Sequence, residues 1–153
     1  MRLKIFILAA VVFLFAACAP KPALKCNLHV IEEMSARRIY LPDKNANELD
    51  AYLKKSKDWQ LIPKTNNKLN HEAAYKAAKS GRAVLASYPA GKRSGHIVVI
   101  HGKKKPAWSN SWRAAVPYTS GSRNGEKVKI KPLSYQFSKD KEPAINYFIY
   151  VRK

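Results

Sequence analysis

The chain has 153 residues, 46% of them hydrophobic and 10% aromatic, which suffices for one packed domain and excludes wholesale disorder. Its 29 lysines and arginines against 10 acids give a net charge of +19, which points to an acidic partner: nucleic acid, an anionic membrane surface or an anionic polymer. Two cysteines and four histidines exclude a disulfide scaffold and a zinc-finger array.

At the N-terminus, Arg2 and Lys4 precede an unbroken apolar run over residues 5–17, too short to span a bilayer comfortably and suited to a signal h-region. The run ends Leu14-Phe15-Ala16-Ala17-Cys18, which resembles a bacterial lipobox. That resemblance implies a signal peptide over residues 1–17 and a lipidated Cys18 that anchors the chain to a membrane, facing the periplasm. Ala19, rather than Asp, leans towards the outer membrane. An ordinary signal peptide cut after Ala17 or Ala19 is the alternative. Export leaves no place for a nucleic-acid partner. It also leaves Cys26, beyond a Pro-containing tether over residues 18–24, as the one free thiol in an oxidising compartment, either buried or reactive.

Residues 25–153 read as a single domain with no internal repeat. From Cys26 to Ile39 the spacing of Leu28, Ile31 and Met34 predicts a helix, ended by Leu41-Pro42-Asp43. Asn45 and Glu48 have the spacing of a capping box for a second helix, to about Lys55. Trp59 and Ile62 flank an irregular connection containing Pro63 and Asn66-Asn67. Asn70 can cap a third helix, His71 to Ser80, with Gly81 as its stop. Residues 82–88 and 96–100 are dense apolar runs, predicting central strands covered on both faces. Further strands are expected around Trp108–Ser111, over Lys127–Lys131, where apolar and basic residues alternate, and over Ala144–Val151. Helices first and an antiparallel sheet afterwards indicate α+β.

Cys26 falls at a helix start, where unpaired N–H groups and the dipole favour a thiolate. A nucleophile there needs a base. His29 is one turn away on the same helix and poorly directed for a relay. His71 opens a helix expected to face solvent. His96 and His101 are five apart on one strand and so point to opposite faces, which also excludes them as joint metal ligands. His96 follows Ser94-Gly95 and opens a buried strand, which makes it the best base; a strand-edge histidine satisfied by its loop is the alternative.

Lys25-Cys26-Asn27-Leu28-His29-Val30 resembles the nucleophile helix of papain-like bacterial cell-wall amidohydrolases, the NlpC and CHAP group. The segment from Glu72 to Tyr88 is similar to their helix-then-strand unit, and Ser94-Gly95-His96-Ile97-Val98-Val99-Ile100 looks like their catalytic histidine strand. The likeness covers most of residues 25–112 and implies a papain-like core, a Cys26–His96 pair and a third polar residue that orients the imidazole. Asn110, within Pro106-Ala107-Trp108-Ser109-Asn110-Ser111-Trp112, is the expected third residue, with Ser109 and Ser111 as rivals and a plain turn role as the alternative. The implied activity is amide cleavage in peptidoglycan stem peptides through an acyl-enzyme, with no cofactor. Tyr88, Trp108 and Trp112 are expected to line the cleft. Two other readings stand beside it: a non-catalytic basic module that grips cell wall or anionic lipid, and an acyltransferase of related fold.

Overall fold

The computed structural model describes residues 26–152; the expected signal peptide, the tether and Cys18 lie outside the described residues. The described chain is α+β. Its elements are α1 (Cys26–Ala36), α2 (Ala46–Lys55), β1 (Trp59–Ile62), α3 (His71–Lys79), β2 (Val84–Tyr88), β3 (His96–His101), β4 (Ala107–Ser109), β5 (Ala114–Val116), β6 (Tyr118–Arg123), β7 (Glu126–Pro132), α4 (Leu133–Gln136) and β8 (Asn146–Tyr150). A 3-10 segment, Lys139–Ala144, leads into β8. Six strands form one antiparallel sheet in the order β1-β8-β2-β3-β6-β7, and β4 pairs with β5 as a separate ribbon.

The sheet is covered on both faces, as the apolar runs of β2 and β3 require. One core joins Val30 and Met34 of α1, Leu49 and Leu53 of α2 and Trp59 to Leu85, Ile97, Val99 and Phe148. The other joins Ala74 of α3, Trp112, Val116, Leu133 and Phe137 to Val84, Ala86, Val98, Ile100 and Tyr147. Alternation along β3 sends Ile97 and Val99 to the first core and Val98 and Ile100 to the second. Each fully buried aliphatic side chain contributes roughly 1.5–3 kcal/mol, so these paired cores dominate the stability.

Local rules account for the helix boundaries. Asn45 and Glu48 do form a reciprocal capping box on α2, and Asn70 accepts from the Ala73 amide at the start of α3. α1 stops at Ala36, earlier than the periodicity predicts, because Arg38 turns to φ +59° and the Ile39 amide folds back onto the Met34 carbonyl. Its buried stripe also differs from the expected one. Asn27, Val30 and Met34, at helical i, i+3, i+7 spacing, face inward, and Leu28 is 37% exposed.

Three strands, β1, β5 and β6, depart from the sequence reading. β1, expected as an irregular connection, pairs in full register with β8, Trp59 opposite Tyr150 and Ile62 opposite Tyr147. β6 carries buried Thr119, Ser120 and Ser122 rather than an apolar run. The segment expected as a strand around Trp108–Ser111 is the short β4 and its turn. No helix among the described residues is long and apolar enough to cross a membrane.

Candidate active site

Cys26 opens α1 on one face of the sheet, and His96 opens β3 at the adjoining sheet end. Both line one cavity of about 560 Å³, with Ser94, Ser122, Arg123, Tyr135, Gln136 and Lys141. The geometry depends on close approach at Gly95. Its carbonyl accepts the Cys26 thiol at 3.9 Å. A Cβ there would stand 2.3 Å from Asn47 Oδ1 and 2.7 Å from the Tyr88 carbonyl, so only glycine fits. Asn47 holds the rest of the loop, accepting from the Ala90 amide at 2.9 Å and donating to the Gly91 and Arg93 carbonyls at 2.9 and 2.8 Å.

His96 Nε2 lies 3.0 Å from Gln136 Oε1, within hydrogen-bond distance. With the amide oxygen turned to it, Nε2 carries the proton and Nδ1 keeps the lone pair a general base needs. Phe137 packs edge-on against the same ring, with centroids 5.1 Å apart, and limits its rotation. Gln136 is therefore the orienting residue at His96.

Asn110, the residue expected in that role, lies elsewhere. Its Oδ1 accepts from Trp108 Nε1 at 3.0 Å on the exposed β4–β5 turn. Its rivals Ser109 and Ser111 hydrogen-bond to one another there at 3.2 Å. The ribbon is a separate sheet, which explains why sequence adjacency to β3 did not bring these residues to His96. The three expected cleft aromatics are also placed outside the cavity lining. Trp112 is buried in the second core, where Nε1 donates to the Phe137 carbonyl at 3.3 Å. Trp108 is 68% exposed. Tyr88 is the cross-strand neighbour of His96, half-buried beneath the Lys141 ammonium at 5.1 Å.

The electrostatics shift Cys26 and His96 each towards its neutral form. Burial pushes the Cys26 thiol up, and the amides of Ile97, Asn27 and Cys26 pull it back only in part. The helix start thus acts in the expected direction but burial outweighs it. Burial also holds His96 below the ordinary histidine range; the bond to Gln136 raises it, and the charges of Lys141 and Arg123 lower it further.

The remaining histidines have other settings. His71, expected in solvent, is instead packed between Trp112 and Tyr147, with Nδ1 2.8 Å from the Tyr147 hydroxyl. Burial brings it down to about 4 despite Glu142 and with help from Lys139. His101 and His96 do face opposite sides, as strand parity demands. His101 Nε2 lies 2.7 Å from Ser120 Oγ, which donates to Glu33 of α1 at 2.7 Å. His29 Nε2 is 3.4 Å from the same Glu33. Among the described residues no three His, Cys, Asp or Glu side chains are gathered to hold a metal ion.

No protein-family model matches the chain, and no curated protein matches it. The site is therefore read from its own chemistry. Sequence spacing pointed to Cys26 and His96 but missed Gln136, Arg123 and Lys141. The available signal was Gln136 between Leu133 and Phe137, an amide flanked by core residues just after an exposed strand.

Proposed function

We propose that the chain is a cysteine amidohydrolase with a papain-like arrangement, acting on amide bonds of peptidoglycan stem peptides from a membrane-tethered, exported position. The observation that carries this reading is the oriented imidazole: His96, with Nε2 bound to Gln136, lines one cavity with Cys26 at the head of α1. From a neutral pair, His96 Nδ1 takes the thiol proton as sulfur attacks the amide carbonyl, and the imidazolium returns it to the departing amine. The N–H groups at the start of α1 and of Ile97, which already bias Cys26 towards the anion, are suited to oppose developing negative charge. Water then releases the acyl group from sulfur. The exported location rests on the N-terminal sequence, and the choice of peptidoglycan on the family resemblance and the cationic surface.

The test is the rate of Cys26 alkylation by iodoacetamide across pH. The wild type is expected to react near neutral pH, losing rate as His96 protonates, and His96→Ala to lose at least about tenfold there, since a positioned base is worth roughly 10²–10⁴. Superimposable profiles for the two proteins overturn the pair. Purified peptidoglycan left uncut by a protein with a reactive Cys26 overturns the substrate.

One observation favours a second reading, a non-catalytic basic binding module. β7 is an open sheet edge with Lys127, Lys129 and Lys131 exposed along it. That reading predicts wall or lipid binding that is lost at high salt and is indifferent to Cys26→Ala.

A further inference from the structure

We infer that Arg123 and Lys141 form a carboxylate subsite in the cavity that holds Cys26 and His96, so that the substrate bears a free carboxylate close to the amide that is cut. The inference rests on the proposed Cys26–His96 chemistry and adds to it a requirement on the substrate.

Arg123 ends β6 and Lys141 lies on the 3-10 segment before β8, so two unconnected parts of the chain bring cations to one cavity. No acidic side chain lines that cavity. The ion pairs of the described residues use Glu33, Asp50, Asp58, Glu72 and Glu142, and none includes Arg123 or Lys141. Glu126 is the cross-strand neighbour of Arg123 but makes no ion pair with it. Both cations are instead held by aromatic faces. The Arg123 guanidinium lies 5.0 Å from the Tyr135 ring centre, with Nη1 donating to the Tyr135 carbonyl, and the Lys141 ammonium lies 5.1 Å from that of Tyr88. Aromatic faces fix a cation without neutralising it, which leaves its remaining N–H donors for an anion. A planar guanidinium and an ammonium in one cavity suit a carboxylate.

The placement also bears on the base. Both cations disfavour the imidazolium form of His96, the form the proposed reaction creates. A substrate carboxylate bound by them offsets that penalty. Anionic substrates thereby gain in turnover as well as in affinity, whereas a neutral analogue leaves the cations opposing proton transfer.

The test compares two small alkylating probes, anionic iodoacetate and neutral iodoacetamide. With either, the Cys26 sulfur displaces iodide from carbon and the thiol proton passes through His96 to solvent. The quantity read is the rate ratio, iodoacetate over iodoacetamide, in wild type, Arg123→Gln, Lys141→Gln and the double variant. The ratio is expected to fall at least about tenfold in the double variant, part of the way in each single variant, and to decline with salt in the wild type. Arg123→Lys, which keeps the charge, is expected to retain most of the ratio. A ratio that stays within about twofold across all proteins overturns the subsite while leaving a reactive Cys26 intact. A Cys26 inert to both probes in the folded protein removes the Cys26–His96 chemistry and the subsite with it.

Discussion

At the scale of single residues, the orientation of one imidazole decides what the cavity can do. Gln136 is buried with its amide oxygen on His96 Nε2, and Gly121 leaves the room for it: a Cβ on Gly121 would meet Gln136 Nε2 at 3.4 Å and Val98 at 2.8 Å. Gln136→Ala is expected to lower the Cys26 alkylation rate near neutral pH by about tenfold, since it removes the tautomer control rather than the base. Gln136→Glu is the sharper variant. A carboxylate in that place favours the imidazolium, so the acid limb of the alkylation profile is expected to move to higher pH. An unshifted limb in Gln136→Glu would show that residue 136 does not govern His96. The sequence made His96 legible because strand parity and the preceding glycine are local signals. Gln136 was not, since 40 residues and four intervening strands separate it from His96 and no spacing rule connects α4 to the head of β3.

At the scale of elements, the site is a junction at the end of the sheet: α1 brings Cys26 from the first face, and β3 parity turns His96 towards Phe137 on the second. The loop between β2 and β3 presents Ser94 and Gly95 to Cys26, and one side chain of α2, Asn47, ties that loop down through three hydrogen bonds. Asn47→Ala is expected to cost about 1–3 kcal/mol in chemical denaturation and to slow Cys26 alkylation more than that loss explains, because the loop sets the distance between α1 and β3. A variant with reduced stability and an unchanged alkylation profile would show the loop to be a connector only. On the far side of α1, Glu33 reaches Ser120 of β6 and the neighbourhood of His101 on β3, so the helix bearing Cys26 is fastened at both ends. The strongly periodic or apolar elements, α2, α3, β2 and β3, were readable from sequence because a single face or an unbroken run specified each. β6 was not, since its buried positions are Thr119, Ser120, Gly121 and Ser122, whose burial is imposed by α1 and α4 and whose polarity reads as loop. β1 has four residues beside Pro63, too few to show a period before β8 is there to pair with it.

At the scale of the whole molecule, two partly buried titratable groups make stability depend on acid in two separable windows. His71 falls from the ordinary 6.5 to about 4, through burial first, with Glu142 opposing and Lys139 assisting. Between those values the unfolded chain binds the proton and the folded one does not. Stability from this group is therefore complete above about pH 6.5 and is lost as pH falls towards 4. Glu33 falls from 4.5 to about 2: burial raises it, but the close approach of His29, the hydrogen bond from Ser120 and the charges of His101 and Arg37 prevail. Its contribution is complete above 4.5 and is lost as pH falls through 2. At about 1.4 kcal/mol per unit, each window spans on the order of 3 kcal/mol as a ceiling. Urea midpoints are thus expected to fall between pH 7 and 4 and again below 4.5. His71→Gln should flatten the first fall and Glu33→Gln the second, each at some cost in stability at pH 7. Because Glu33 lies on the helix that Cys26 opens, Glu33→Gln is also expected to alter alkylation, whereas His71→Gln, outside the cavity lining, is expected to leave it near the wild-type rate. Midpoints of a variant that run parallel to the wild type through its window would remove that group as the source of the acid response.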